Sequence, residues 1–157
     1  MTPPVLLRPL QAGDVAPLAR ALAPLPLMQR YGRTESALAR DLEAARARGD
    51  GLVTALVTGG VPAGLAWFLP TGTLGMGAYL RLIAVAPGHE GRGVGAALLE
   101  AYEKAAAVAG KHAFLLVSDF NEGAQRFYER HGWTRSGQLP GLVLTDVTEL
   151  LYWKRLR

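Results

Sequence analysis

The stretch VAPGHEGRGVG, Val85 to Gly95, sets four glycines and a proline directly after the apolar run YLRLIAVA. Glycine costs conformational entropy on folding, so such a cluster must permit a geometry that other residues cannot adopt. The run before it reads as a buried strand. The run after it, GVGAALLEAYEKAAAVAG, reads as an amphipathic helix ending at Gly110. A glycine-rich turn leading into a helix N-terminus offers backbone N–H groups and the positive end of the helix dipole, a ready anion site. A Walker loop needs Lys-Ser/Thr after the last glycine, where this chain has Ala96-Ala97. A dinucleotide fingerprint needs GxGxxG near the first strand, but Gly91, Gly93 and Gly95 are evenly spaced and follow the fourth. Neither nucleotide reading fits.

Outward from the loop, strands and helices alternate. VLLRPL (Val5–Leu10) reads as a short strand, and QAGDVAPLARALA as a helix with Asp14 at its N-cap. In TESALARDLEAARARG, Thr34 caps a second helix, Leu38 and Leu42 recur at i, i+4, and Gly49 stops it. GLVTALV and VPAGLAWFL flank TGG as a hairpin. Beyond the central helix, HAFLLVSD is a strand, NEGAQRFYERHG a short helix closed by Gly132, and ELLYWKRL a last strand. TGTLGM and SGQLPGLVLTD read as loops. The order predicts an α/β fold around one mixed sheet.

Composition bounds the function. The 157 residues are expected to form a single domain, 1–157, with a real core. No apolar run is long enough to span a bilayer, and the N-terminus lacks the plan of a secretory signal, so a soluble cytoplasmic protein is expected, with no membrane partner. The absence of cysteine excludes disulfides, thiolate catalysis and cysteine metal sites. His89, His112 and His131 form no ligand pair at helical spacing, so no metal is expected. His89 is expected exposed on the loop, and His112 and His131 on the surface. Lys and Arg total 17 against 13 acids, spread along the chain. Nucleic-acid binding needs a clustered basic footprint, so no such partner is expected. The net charge of +4 does favour anionic ligands in general.

The segment LIAVAPGHEGRGVGAALLEAYEKAA resembles the pyrophosphate-binding motif of the GNAT superfamily of acetyl-CoA-dependent N-acetyltransferases. Val85-Ala86-Pro87 and Gly93-Val94-Gly95 carry the match. A second block, NEGAQRFYERHGW, is similar to the family's later motif through Asn121, Ala124, Phe127, Tyr128, Gly132 and Trp133. The early Arg8, Pro9, Asp14 and Leu18 also resemble the family. One residue departs: the Gln or Arg that opens the phosphate motif is Glu90 here, and Arg92 is the nearby cation that can compensate.

The resemblance implies a sheet of six to seven strands flanked by about four helices, with central strands splayed into a CoA cleft. It implies acetyl-CoA as co-substrate, held by Ile83, Ala84, Val85, Glu90, Gly91, Arg92, Gly93, Val94, Gly95, Ala96, Asn121 and Tyr128. Pantetheine would add to the strand edge at Ile83 and Val85. The Val85 backbone N–H would polarise the thioester carbonyl as oxyanion donor. Tyr128 would act as general acid toward the departing thiolate.

Other readings of these residues stay open. Asn121 fits a helix N-cap as well as a pantetheine contact. The general base is Asp119, Glu35 or a water, since YLRLIAV offers no carboxylate. The acceptor is a small-molecule or peptide amine, met by Leu25–Glu35, Trp67–Gly77 and Gln138–Asp146. A homodimer through the aromatic final strand (Tyr152, Trp153) is among the partners the resemblance allows. The rival class is a CoA-binding sensor or interaction module without catalysis.

Overall fold

A computed structural model describes residues 4–157. Seven strands form one mixed sheet in the order β1-β2-β3-β4-β5-β7-β6. They are β1 (Leu6–Pro9), β2 (Gly51–Val57), β3 (Val61–Thr73), β4 (Gly77–Val85), β5 (His112–Ser118), β6 (Thr134–Pro140) and β7 (Thr148–Arg155). The α-helices among the described residues are α1 (Val15–Leu22), α2 (Pro26–Arg30), α3 (Glu35–Arg48), α4 (Val94–Ala109) and α5 (Glu122–Arg130). The chain divides into two compact units, one of residues up to Phe68 with Leu82–Tyr102, the other of Leu69–Arg81 with Glu103–Arg157.

In the first unit, β1 and β3 pair antiparallel with β2 on its two sides. Buried Val15, Leu18, Ala19 and Leu22 form one stripe of α1, and Leu38, Leu42 and Ala45 one stripe of α3. These stripes pack with Leu52, Leu65, Trp67, Ala84 and Ala86 into the larger core. A second cluster joins Val94 and Leu98 of α4 to Ala55, Ala66, Ile83 and Val85. The two ends of α3 follow the sequence signals. Thr34 Oγ1 accepts from Ala37 N at 3.1 Å, and Gly49 closes the helix at φ +79°.

In the second unit, β5 runs parallel to β4 and antiparallel to β7, which in turn carries β6 at the edge. The β4–β5 ladder covers only Ala78↔Ala113, Tyr79↔Phe114 and Leu80↔Leu115. Tyr152 is fully buried, and its hydroxyl donates to Glu129 Oε1 at 3.0 Å. Glu103 Oε1 accepts from both Trp133 Nε1 and Lys154 Nζ, at 3.1 and 2.7 Å.

Three sequence expectations need correction, and one short helix was not foreseen. The SGQLPGLVLTD segment is not all loop, because Thr134–Pro140 pairs with β7. An exposed edge strand carries no alternating apolar pattern to betray it, and Pro140 is tolerated at its end. TGTLGM likewise begins as strand, since β3 runs to Thr73 before the turn. The five-residue α2, opened by Pro26, is too short for helical periodicity to register. Asp14 does not cap α1 with its side chain. Its carboxylate instead accepts from Gln11 N at 2.8 Å and from Arg8 Nη2 at 2.9 Å, with Arg8 Nη1 on the other oxygen. The early Arg8 and Asp14 thus form a forked ion pair joining β1 to the helix that follows it.

Candidate active site at the glycine loop

The loop between β4 and α4 answers why glycine is repeated there. Gly88, Gly91 and Gly93 take φ of +88°, +73° and +82°, a region L side chains rarely adopt. A Cβ built on any of the three meets no atom within 4 Å, so these positions are open to an approaching ligand. Gly95 differs, lying inside α4. Ala97 N already bonds Gly93 O at 3.0 Å, so the preceding amides of Val94, Gly95 and Ala96 lie in the first turn, which lacks intrahelical partners. A 16-residue helix opening on those amides favours an anion.

Glu90 turns back on its own loop. Its Oε2 accepts from Gly88 N at 2.9 Å, so the carboxylate lies on a loop amide. Arg92 is exposed, while His89 is half-buried. His89 Nδ1 is buried without a protein hydrogen-bond partner, which corrects the expectation of an exposed imidazole. Both residues line a cavity of about 250 Å³ walled by Val57, Val61 and Val94 and by Thr58.

The backbone at the end of β4 supplies the second feature. Ala86 N bonds Ala63 O on β3 at 2.7 Å. Successive amides of an extended chain point to opposite edges, so the Val85 N–H, and by the same alternation that of Ile83, point away from β3. Ala84, between them, is 5% exposed and belongs to the core. It therefore contributes packing, not an amide on that edge.

The second unit holds the remaining expected residues. Asn121 Oδ1 accepts from Ala124 N at 3.1 Å, so the N-cap role is filled. Tyr128 is buried on α5, with its ring 5.2 Å from Phe127, 6.1 Å from Trp133 and 6.5 Å from Tyr152. Burial disfavours the phenolate and raises its pKa well above that of a free tyrosine. The hydroxyl therefore keeps its proton at neutral pH, as a donor must.

Both carboxylates considered as general base have structural partners. Asp119 Oδ2 accepts from Thr148 N at 3.2 Å, while Asp119 N donates to Thr148 O at 2.9 Å, tying β5 to β7. Glu35 lies at the start of α3, 3.5 Å from Arg20 in an exposed ion pair. His131 is half-buried, with Nδ1 donating to Phe127 O at 2.8 Å, and His112 packs 5.6 Å from the Trp153 ring. Both, expected at the surface, are thus only partly exposed. Sequence reasoning missed one buried acid, Glu149 at the start of β7, which is 5% exposed and faces Ser118.

The sequence model of the acetyltransferase (GNAT) family matches residues 20–133. That is more than half of the chain, and the chain belongs to this family, whose activity is acyl transfer. No curated protein matches it. A GNAT-family protein from Desulfovibrio desulfuricans is 24% identical and superposes with a TM-score of 0.79, over 98% of this chain and 100% of that one. The yncA protein of Salmonella typhimurium, solved with its cofactor acetyl-CoA, is 16% identical with a TM-score of 0.73, over 98% and 94%. An aminoglycoside 6'-N-acetyltransferase complexed with coenzyme A is 17% identical with a TM-score of 0.77, over 97% of each chain. At such identities these likenesses establish the fold alone. Among the described residues no helix is long and apolar enough to cross a membrane.

Proposed function

We propose that this chain transfers the acetyl group of acetyl-CoA to a primary amine by direct attack on the thioester. The observation that carries the reading is the run of left-handed Gly88, Gly91 and Gly93 between the end of β4 and the N-terminus of α4. Loop and helix amides from Glu90 to Ala96 receive the pyrophosphate, and Arg92 adds positive charge. Pantetheine pairs with the β4 edge at Ile83 and Val85. The Val85 N–H donates to the thioester oxygen as charge develops on it. The buried Tyr128 hydroxyl gives its proton to the departing thiolate. The acceptor is a small-molecule or peptide amine.

Calorimetric titration with acetyl-CoA tests the loop. A β-branched side chain at φ +82° is strained and crowds the ligand's approach, so Gly93→Val is expected to abolish binding. Unchanged affinity in a folded Gly93→Val protein overturns the placement. Wild-type binding of acetyl-CoA with no thiol release across an amine panel would favour a sensor module over an enzyme.

A further inference from the structure

The cavity beside the glycine loop lies wholly within the first unit and joins the β2–β3 turn to the start of α4. Gly60 N closes that turn on Val57 O at 2.9 Å. Val57 and Val61, paired across β2 and β3, put their side chains on one face, where Val5 and Val94 complete an apolar wall. Val94 is buried in the second core cluster, whereas Val5 and Val57 are half-buried and Val61 is exposed. The wall therefore keeps apolar surface in contact with water, and a ligand with an apolar body gains by covering it.

Two basic side chains meet this wall. The loop holds His89 by its backbone, since His89 N donates to Ala86 O at 3.1 Å. Its Nδ1 is buried with no protein hydrogen-bond partner, a state that costs free energy unless another group takes the bond. Arg92 is exposed, and among the described residues it has no ion-pair partner. The neighbouring acid in the loop, Glu90, is turned onto Gly88 N. None of the lining residues is acidic, and Thr58 adds a hydroxyl. The cavity thus sets positive charge and a hydrogen-bonding nitrogen against valine methyl groups.

We propose that this cavity binds a small aliphatic monocarboxylate, with its carboxylate on Arg92 and His89 and its carbon body against the four valines. A guanidinium meets a carboxylate in a forked, charge-assisted pair, and the imidazole tautomer with its proton on Nδ1 donates to the same group. An amino acid is disfavoured, because no acid lines the cavity to receive its ammonium. The volume of about 250 Å³ falls below the roughly 300–1,000 Å³ of sites for drug-sized ligands, which suits a body of a few carbons. The acetyl-transfer reading also uses Arg92, at the pyrophosphate. Resting on that reading, the acid and acetyl-CoA weaken each other's binding, and do so reciprocally.

The test titrates the full chain with 3-methylbutanoate at neutral pH, and with 3-methylbutylamine as a probe of the same body and opposite charge. Wild type is expected to bind the acid and not the amine. Arg92→Gln is expected to lose about tenfold to a hundredfold in affinity for the acid. His89→Phe, which keeps a ring but not the nitrogen, is expected to lose about threefold to tenfold. Val61→Phe fills the cavity from an exposed strand position and is expected to abolish binding. No binding by wild type, equal binding of the amine, or wild-type affinity in Val61→Phe overturns the proposal. The last result would place the anion at the glycine loop alone. Added acid is expected to raise the apparent Kd of acetyl-CoA. Unchanged acetyl-CoA affinity beside bound acid overturns the sharing of Arg92. No acetyl-CoA binding at all would instead overturn the acetyl-transfer reading and leave the acid site standing.

Discussion

Glu90 Oε2 accepts a hydrogen bond from Gly88 N at 2.9 Å within the glycine loop. The family's usual amide or cation is thus replaced by an anion that folds onto the loop itself. A bound pyrophosphate must share the loop with this charge. Glu90→Gln is expected to tighten acetyl-CoA binding by about fivefold, the effect of about 1 kcal/mol for like charges a few ångströms apart in water. The gain should fade as salt rises, because exposed charges are screened. Equal affinities at low salt would mean that Glu90 does not act on the ligand.

The Arg8–Asp14 fork carries a pH signature. The Arg8 guanidinium, through its hydrogen bonds, holds the Asp14 carboxyl below the ordinary carboxylate range. A depressed folded-state pKa stabilises above the unfolded value, about 3.9, and this stability is lost as pH falls through the folded value. Asp14→Asn is therefore expected to destabilise by about 1–3 kcal/mol at neutral pH. Denaturant unfolding at a series of pH values should show the wild-type advantage vanish on acidification. A constant difference would locate the effect in packing.

Gly77 shows a constraint of another kind. It begins β4, is buried, and a Cβ there would overlap the carbonyl oxygen of His112. Backbone cannot swing aside as a side chain can, so Gly77→Ala is expected to cost about 1–3 kcal/mol in urea unfolding. No loss of stability would show that β4 and β5 can separate locally at little cost.

What could be read in the sequence follows from local signals. The strands with apolar runs, Thr34 and Gly49 at the ends of α3, and the strand–glycine loop–helix order all depend on neighbours along the chain. β6 was not legible because its residues face solvent and its pairing comes from β7. Asp14 had a cap's chemistry, but Arg8 competed for its carboxylate through tertiary geometry. Glu149 reads as an ordinary polar start to a strand. Only its register against Ser118 reveals its burial. His89 looked like a loop residue at the surface, and the valine-lined cavity beside it is invisible without the β2–β3 turn.

The most direct measurement of the central claim is amine-dependent release of free CoA from acetyl-CoA, comparing wild type with Tyr128→Phe. The substitution removes one hydroxyl from a buried ring, so folding and acetyl-CoA affinity should hardly change. Phe127→Leu serves as a packing control and should lower stability while affecting rate only indirectly. Wild type is expected to release CoA only when an amine is present. Loss of the general acid is expected to lower kcat about 10²–10⁴-fold, with little change in KM. Wild-type kcat in Tyr128→Phe, at a pH where chemistry limits turnover, would contradict the role given to that hydroxyl. Tight binding of acetyl-CoA with no amine-dependent release by wild type would contradict acetyl transfer itself.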